Sequence, residues 1–136
     1  MRMSELLRYD IPPEIIALWQ EQESESLLPV QEMAIKRHNL FAGRNLLIQA
    51  PTSSGKTFIG EMAAIQTALR RKKVIYAVPL KALAEEKFED FRAKYAPYGI
   101  EVIISTRDRR EFDGRLESGA FSIAVVVFEK LSQLLV

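Results

Sequence analysis

Apolar positions along the chain follow two rhythms. One is a short, nearly unbroken run; the other is a longer stretch repeating every three or four residues. The runs are Leu46-Leu47-Ile48 (continued by Ala50 after Gln49), 73–77, 100–105 and 122–127, each short enough for a buried strand. Between them the spacing turns helical. Phe58, Met62, Ile65 and Leu69 lie four, three and four residues apart, on one helix face. Leu80, Ala84, Phe88, Phe91 and Tyr95 continue that spacing through 81–95, and Pro97-Tyr98-Gly99 ends it. A charged, weakly helical segment covers 107–118, and a last helix carries Leu131, Leu134 and Leu135.

Residues 1–26 read as a polar lead-in with one short helix. Pro12-Pro13 forces an extended entry, Pro13 suits a first helical position, and Ile15, Ile16 and Trp19 supply the apolar side. Residues 21–26 form a solvated loop, and a second helix is expected over about 30–38, with Val30, Met33, Ala34 and Ile35 apolar. Phe41-Ala42-Gly43-Arg44-Asn45 turns the chain into the first strand. Strand runs separated by helices predict βαβ crossovers and an α/β domain over 27–136, its parallel sheet covered on both faces. No internal repeat is visible.

The bulk numbers change this picture little. With 136 residues the chain makes one modest domain, and 48% hydrophobic with 27% charged residues is ordinary globular composition. A formal net charge of +1 gives no global pull toward nucleic acid or membrane, so any such contact is local. The absence of cysteine removes disulfides and thiolate metal sites. No stretch reaches membrane-spanning length, and Arg2, Glu5, Arg8 and Asp10 stand where a signal peptide needs an apolar core. A cytoplasmic location without membrane contact is expected.

The chemistry centres on Ala50-Pro51-Thr52-Ser53-Ser54-Gly55-Lys56-Thr57, set between a strand and a helix. Backbone N–H groups of Thr52 to Lys56 can surround a phosphate. The positive end of the following helix favours the anion, and Gly55 permits close backbone approach. Lys56 reaches the β- and γ-phosphates, and Thr57 offers its hydroxyl to Mg2+. ATP with Mg2+ is the expected cofactor pair. Ala50 stands where the strict pattern has glycine.

Further motifs resemble those of superfamily 2 helicases, in the superkiller-type branch that includes archaeal DNA-repair helicases. Gln31, nineteen residues before Ala50, looks like the adenine-reading glutamine. Ala50–Thr57 looks like motif I, in which alanine is the usual first residue. Val78-Pro79-Leu80-Lys81-Ala82-Leu83-Ala84-Glu85-Glu86-Lys87 is close to motif Ia of this branch. Ser105-Thr106-Arg107-Asp108 resembles its Ser-Thr-Gly-Asp, with Arg107 for glycine. Val127-Phe128-Glu129-Lys130-Leu131 resembles motif Ib, with Val-Phe for Thr-Pro. The resemblance covers residues 9–136 and implies a P-loop NTPase, RecA-like fold.

An amide such as Gln31 can pair bidentately with the N6/N7 edge of adenine. Pro79, Lys81, Arg107, Glu129 and Lys130 fall where strands end and helices begin, the ligand-binding edge of a parallel sheet. There they are expected to hold nucleic-acid phosphates, of DNA or RNA. The Val127-Phe128 replacement removes a hydroxyl that would contact phosphate. Arg70-Arg71-Lys72-Lys73 ends a helix, where cations stabilise the dipole, with nucleic-acid contact the less common role of such a run. Trp19 and Tyr9 are candidates for stacking near adenine, with core packing the commoner fate of such a Trp. His38 has no metal-ligand spacing to any other residue.

The resemblance further implies an Asp-Glu-x-His strand holding Mg2+ and orienting water, a Ser-Ala-Thr motif, and a second RecA-like domain. None of these is in the sequence, which is expected to be truncated before the Asp-Glu-x-His strand. Such a piece binds nucleotide without hydrolysing it or unwinding a duplex. The missing Ser-Ala-Thr strand leaves a gap beside the loop's strand, and the exposed edge invites missing helicase segments or self-association. Two alternatives are a non-enzymatic interaction module and a small P-loop phosphotransferase.

Overall fold

The structure, a computed structural model, describes residues 1–37, 39–42, 48–49 and 54–134. His38, the strand start at Leu46-Leu47 and the loop residues Ala50, Pro51, Thr52 and Ser53 lie outside the described residues.

Helices and strands follow the order α1 (Pro13–Gln22), α2 (Pro29–Lys36), β1 (Ile48–Gln49), α3 (Ser54–Leu69), β2 (Val74–Val78), α4 (Lys81–Tyr95), β3 (Val102–Ser105), α5 (Asp113–Ser118), β4 (Ile123–Val127) and α6 (Phe128–Leu134). The strands form one sheet in the order β1-β2-β4-β3. Every pairing in it is parallel. The expected parallel α/β architecture is present, with β2, β3 and β4 displaced by one or two residues from the apolar runs.

Both faces of the sheet are covered, as the strands' continuous apolar character requires. Tyr76, Val78, Ile104, Val125 and Val127 face the main core with α1, α3 and α4, where Trp19, Phe58, Phe88 and Phe91 meet. The alternate positions Ala77, Ile103, Ala124 and Val126 pack with Leu116 of α5 and with Phe112, Phe121 and Leu131. This period-two division is the strand pleat itself.

Two expectations change. The lead-in contains a 3-10 helix, Met3–Tyr9, whose Met3 and Leu6 are fully buried against the main core. Its polar residues masked two apolar anchors. The helix expected over 107–118 is confined to Asp113–Ser118, because Thr106 Oγ1 accepts the N–H groups of Asp108 and Arg109 at 3.2 and 3.1 Å and folds 106–109 into a turn. β1 lies at the edge of the sheet and pairs on one side with β2, matching Ile48 to Tyr76 and Gln49 to Ala77.

Candidate functional site

Helix α3 begins at Ser54, so the described part of the phosphate loop, Gly55, Lys56 and Thr57, forms its first turn. An anion at this end of α3 would meet the positive end of the helix dipole. Lys56 is exposed and Thr57 half-buried. A Cβ on Gly55 would stand 3.3 Å from Leu28 Cδ1 and 3.5 Å from Val30 Cγ1, so α2 approaches closely because this residue has no side chain.

Gln31 holds that approach. It is the third residue of α2, and its Oε1 accepts the N–H of Leu28, the residue before the helix, at 2.8 Å. A Glu or Gln reaching back in this way satisfies an otherwise orphaned amide. Its Nε2 donates to the Gly55 carbonyl at 3.2 Å, and the residue is only 3% exposed. Gln31 is therefore a strut between the entry to α2 and the start of α3. One N–H and one lone pair remain for a base edge. A cleft of about 160 Å³ opens beside it, lined by Glu23, Ser24, Ser26, Leu28, Gln31 and Gly55. Burial, with the Glu61 charge next in weight, raises the Glu23 carboxyl pKa.

Trp19 belongs to the core, as its position on the apolar side of α1 suggests. It is fully buried, stands edge-on to Phe58 at 5.3 Å, and its Nε1–H donates to Tyr95 Oη at 2.8 Å. Tyr95 in turn donates to Glu61 Oε2, which also accepts from Lys94 Nζ at 2.7 Å. Sequence reasoning missed this buried network of α1, α3 and α4. Its one visible signal is an acid, Glu61, inside the apolar run of α3.

The second set of candidates gathers at the carboxyl edge of the sheet. Pro79 and Lys81 follow β2, Arg107 follows β3, and Glu129 and Lys130 open α6 after β4. Arg107, Arg110, Glu129 and Lys130 line a cleft of about 350 Å³ with Thr106 and Gln133. Lys81 is exposed, and its ammonium pairs with Asp108 Oδ2 at 2.5 Å. The hydrogen bond and charge of Lys81 hold the Asp108 carboxyl below the usual carboxylate range. Lys130 donates to Asp113 Oδ2 at 3.1 Å, while Asp113 Oδ1 accepts from Ser105 at 2.7 Å. Burial works to raise the Asp113 pKa, but the bonds from Ser105 and Lys130 outweigh it and lower it. Arg109, a neighbour of Arg107 in the loop weighed for phosphate contact, instead grips Glu85 of α4 through Nη1 at 2.8 and 2.7 Å and fixes the 106–112 loop against that helix.

Among the described residues no group of three His, Asp or Glu side chains could hold a metal by itself. A metal at this end of α3 would need ligand oxygens from phosphate as well as Thr57. Among the described residues, no helix is long and apolar enough to cross a membrane.

Residues 28–136 match the family model for DEAD/DEAH box helicases. The chain is 39% identical over 127 residues to the ATP-dependent DNA helicase Hel308 of Methanococcus vannielii, covering 89% of this chain and 16% of that protein. With its counterpart from Pyrobaculum calidifontis it shares 38% identity over 135 residues, covering 99% of this chain and 18% of the relative. For Methanocaldococcus jannaschii the figures are 41% over 114 residues, 79% and 9%. The chain thus spans less than a fifth of the length of these curated relatives.

Proposed function

Because the chain belongs to the DEAD/DEAH box helicase family, we propose that it supplies the nucleotide-binding part of an ATP-dependent DNA translocase. The observation that carries this reading is the Gln31 strut. Its amide joins the carbonyl of Gly55 at the mouth of α3, so a base-reading group and a phosphate-binding helix end adjoin one another.

Residues 50–57 would hold the phosphates of ATP through main-chain amides and the Lys56 ammonium, and Thr57 would ligate Mg2+. The spare N–H and lone pair of Gln31 would read the adenine edge. When bound, Mg2+ neutralises phosphate charge and bridges phosphate oxygens. The residues fit this group: Lys56 is exposed at the amino end of α3, and the Thr57 hydroxyl lies in the same first turn.

At the carboxyl edge, Pro79, Lys81, Arg107, Glu129 and Lys130 would meet a DNA strand, the cations contacting phosphates and Glu129 contributing its backbone N–H at the start of α6. Lys81 and Lys130 are pre-positioned by Asp108 and Asp113, so phosphate competes with a carboxylate at each. Hydrolysis and unwinding are assigned to the whole protein, since motor action needs nucleotide gripped between two moving domains.

The test is titration of a fluorescent ADP analogue with Mg2+ into the chain and its Lys56→Ala and Gln31→Ala variants. Saturable binding is expected, abolished by Lys56→Ala and weakened for adenine over guanine nucleotides by Gln31→Ala. Binding indifferent to Lys56 would overturn the reading in favour of an interaction module.

A further inference from the structure

The largest of the clefts described lies at the other end of the sheet from the phosphate loop. Its volume is about 480 Å³, within the range of ligand-binding clefts (about 300–1,000 Å³), and its walls include Arg71, Lys72, Lys73, Tyr98 and Phe121. Three of its lining residues are cations and none is an acid. The clefts at Gln31 and at the carboxyl edge each include a glutamate. Glu101, next in sequence to the cleft residue Ile100, is engaged by Arg115.

Capping of α3 accounts for part of this basic run and leaves Arg71 unexplained. Arg70 serves the fold, donating to the Phe41 carbonyl at 3.3 Å and lying 3.9 Å from Asp10. Arg71 sits in the left-handed region, φ +62°, as the terminating residue of the helix: its N–H bonds Ala68 O at 3.0 Å and the N–H of Lys72 bonds Thr67 O at 3.3 Å. That position is usually glycine or asparagine, because a Cβ there crowds the backbone. An arginine held there at a cost, facing a cleft without acids, points to a use for its charge.

We infer that this amino-end cleft binds single-stranded nucleic acid, with Arg71 and Lys73 on the phosphates and Tyr98 and Phe121 against the bases. Tyr98 is 38% exposed and Phe121 partly buried, so both rings border the cleft without being lost in the core. Cations beside aromatic faces are the elements of sequence-tolerant strand binding. An acidic peptide would use the cations and leave the rings without a partner. The inference is independent of nucleotide binding at α3 and of the carboxyl-edge contacts.

The experiment uses fluorescence anisotropy of a labelled oligo(dT) with the chain, across about 50 to 200 mM salt. Arg71→Ala/Lys73→Ala is expected to reduce the slope of log affinity against log salt by ~1.4, two phosphates' worth on a single strand. Tyr98→Ala should weaken binding at least about fivefold. Arg71→Gly separates fold from function. It should raise the folded-to-unfolded ratio about fivefold by relieving the left-handed backbone, while still lowering the salt slope by ~0.7. Photocrosslinking with 5-iodouracil oligonucleotides should mark Tyr98 or Phe121, and should still do so in Lys81→Ala/Lys130→Ala. Crosslinks confined to the carboxyl edge, or an unchanged salt slope in Arg71→Gly, would overturn the proposal. So would displacement of the oligonucleotide by polyglutamate as readily as by unlabelled oligo(dT), which would make this an acidic-protein site.

Discussion

Removing the Glu61 carboxylate tests whether the buried polar network is what ties α1 to α3 and α4. Glu61 is 3% exposed and accepts from Tyr95 and Lys94, with Gln22 Nε2 more distant at 3.5 Å. In Glu61→Ala the Tyr95 hydroxyl loses its acceptor inside the core, a cost of about 1–3 kcal/mol. Breaking a buried charge pair costs about 3–5 kcal/mol when the remaining charge is stranded. Lys94 is not stranded, since it keeps Asp90 at 2.9 Å and Gln22 Oε1 at 2.6 Å, and its side chain is 16% exposed. The sum expected for Glu61→Ala is therefore about 2–4 kcal/mol, below the full penalties combined. Glu61→Gln keeps an acceptor for Tyr95 and should lose only about 1–2 kcal/mol. The assay is urea unfolding followed by fluorescence of Trp19, the single tryptophan, which donates to Tyr95. Adding Tyr95→Phe to Glu61→Ala should recover part of the loss, as the orphaned hydroxyl is removed with its partner. Both Glu61 variants lying within about 0.5 kcal/mol of the parent, the range of ordinary surface substitutions, would refute the reasoning.

Burial, followed by the Glu61 charge, raises the hydroxyl pKa of both Tyr76 and Tyr95 above 10.0. With folded values above the unfolded one, the contribution is complete below pH ~10 and declines as pH rises, by about 1.4 kcal/mol per pH unit for each tyrosine. Alkaline unfolding midpoints should show this slope, and Tyr95→Phe should halve it. Gly55→Ala meets only the ends of the Leu28 and Val30 side chains, so the fold should survive. Magnesium nucleotide affinity, measured calorimetrically, should nonetheless fall, by up to about tenfold, as the push on Leu28 and Val30 shifts α2 and the Gln31 bond to the Gly55 carbonyl. Asp108→Asn releases the Lys81 ammonium from its carboxylate. Oligonucleotide affinity at low salt should then rise, by up to about fivefold for an exposed pair, and a fall would speak against Lys81 as a phosphate contact.

The fold was largely legible because β2, β3 and β4 are buried on both faces and so read as apolar runs, while α3 and α4 kept their helical spacing. The 3-10 helix at Met3–Tyr9 was not, since its two buried residues, Met3 and Leu6, are too few to set a period among polar neighbours. The turn at 106–109 depends on one hydroxyl, Thr106 Oγ1, and no periodicity announces such a bond. At the site, spacing placed Gln31 upstream of the loop, but its bonds to Leu28 and Gly55 are tertiary and invisible in a linear pattern. The same holds for Lys81 and Lys130: their positions at strand ends were readable, their carboxylate partners 27 and 17 residues away were not.

The most direct test of the nucleotide site is a crystal structure of the chain with ADP and Mg2+. The phosphates should sit over the first turn of α3, with Lys56 Nζ on a phosphate oxygen, Thr57 Oγ1 on the metal and the base beside Gln31. Nucleotide bound elsewhere, with Lys56 turned away from it, would contradict that assignment.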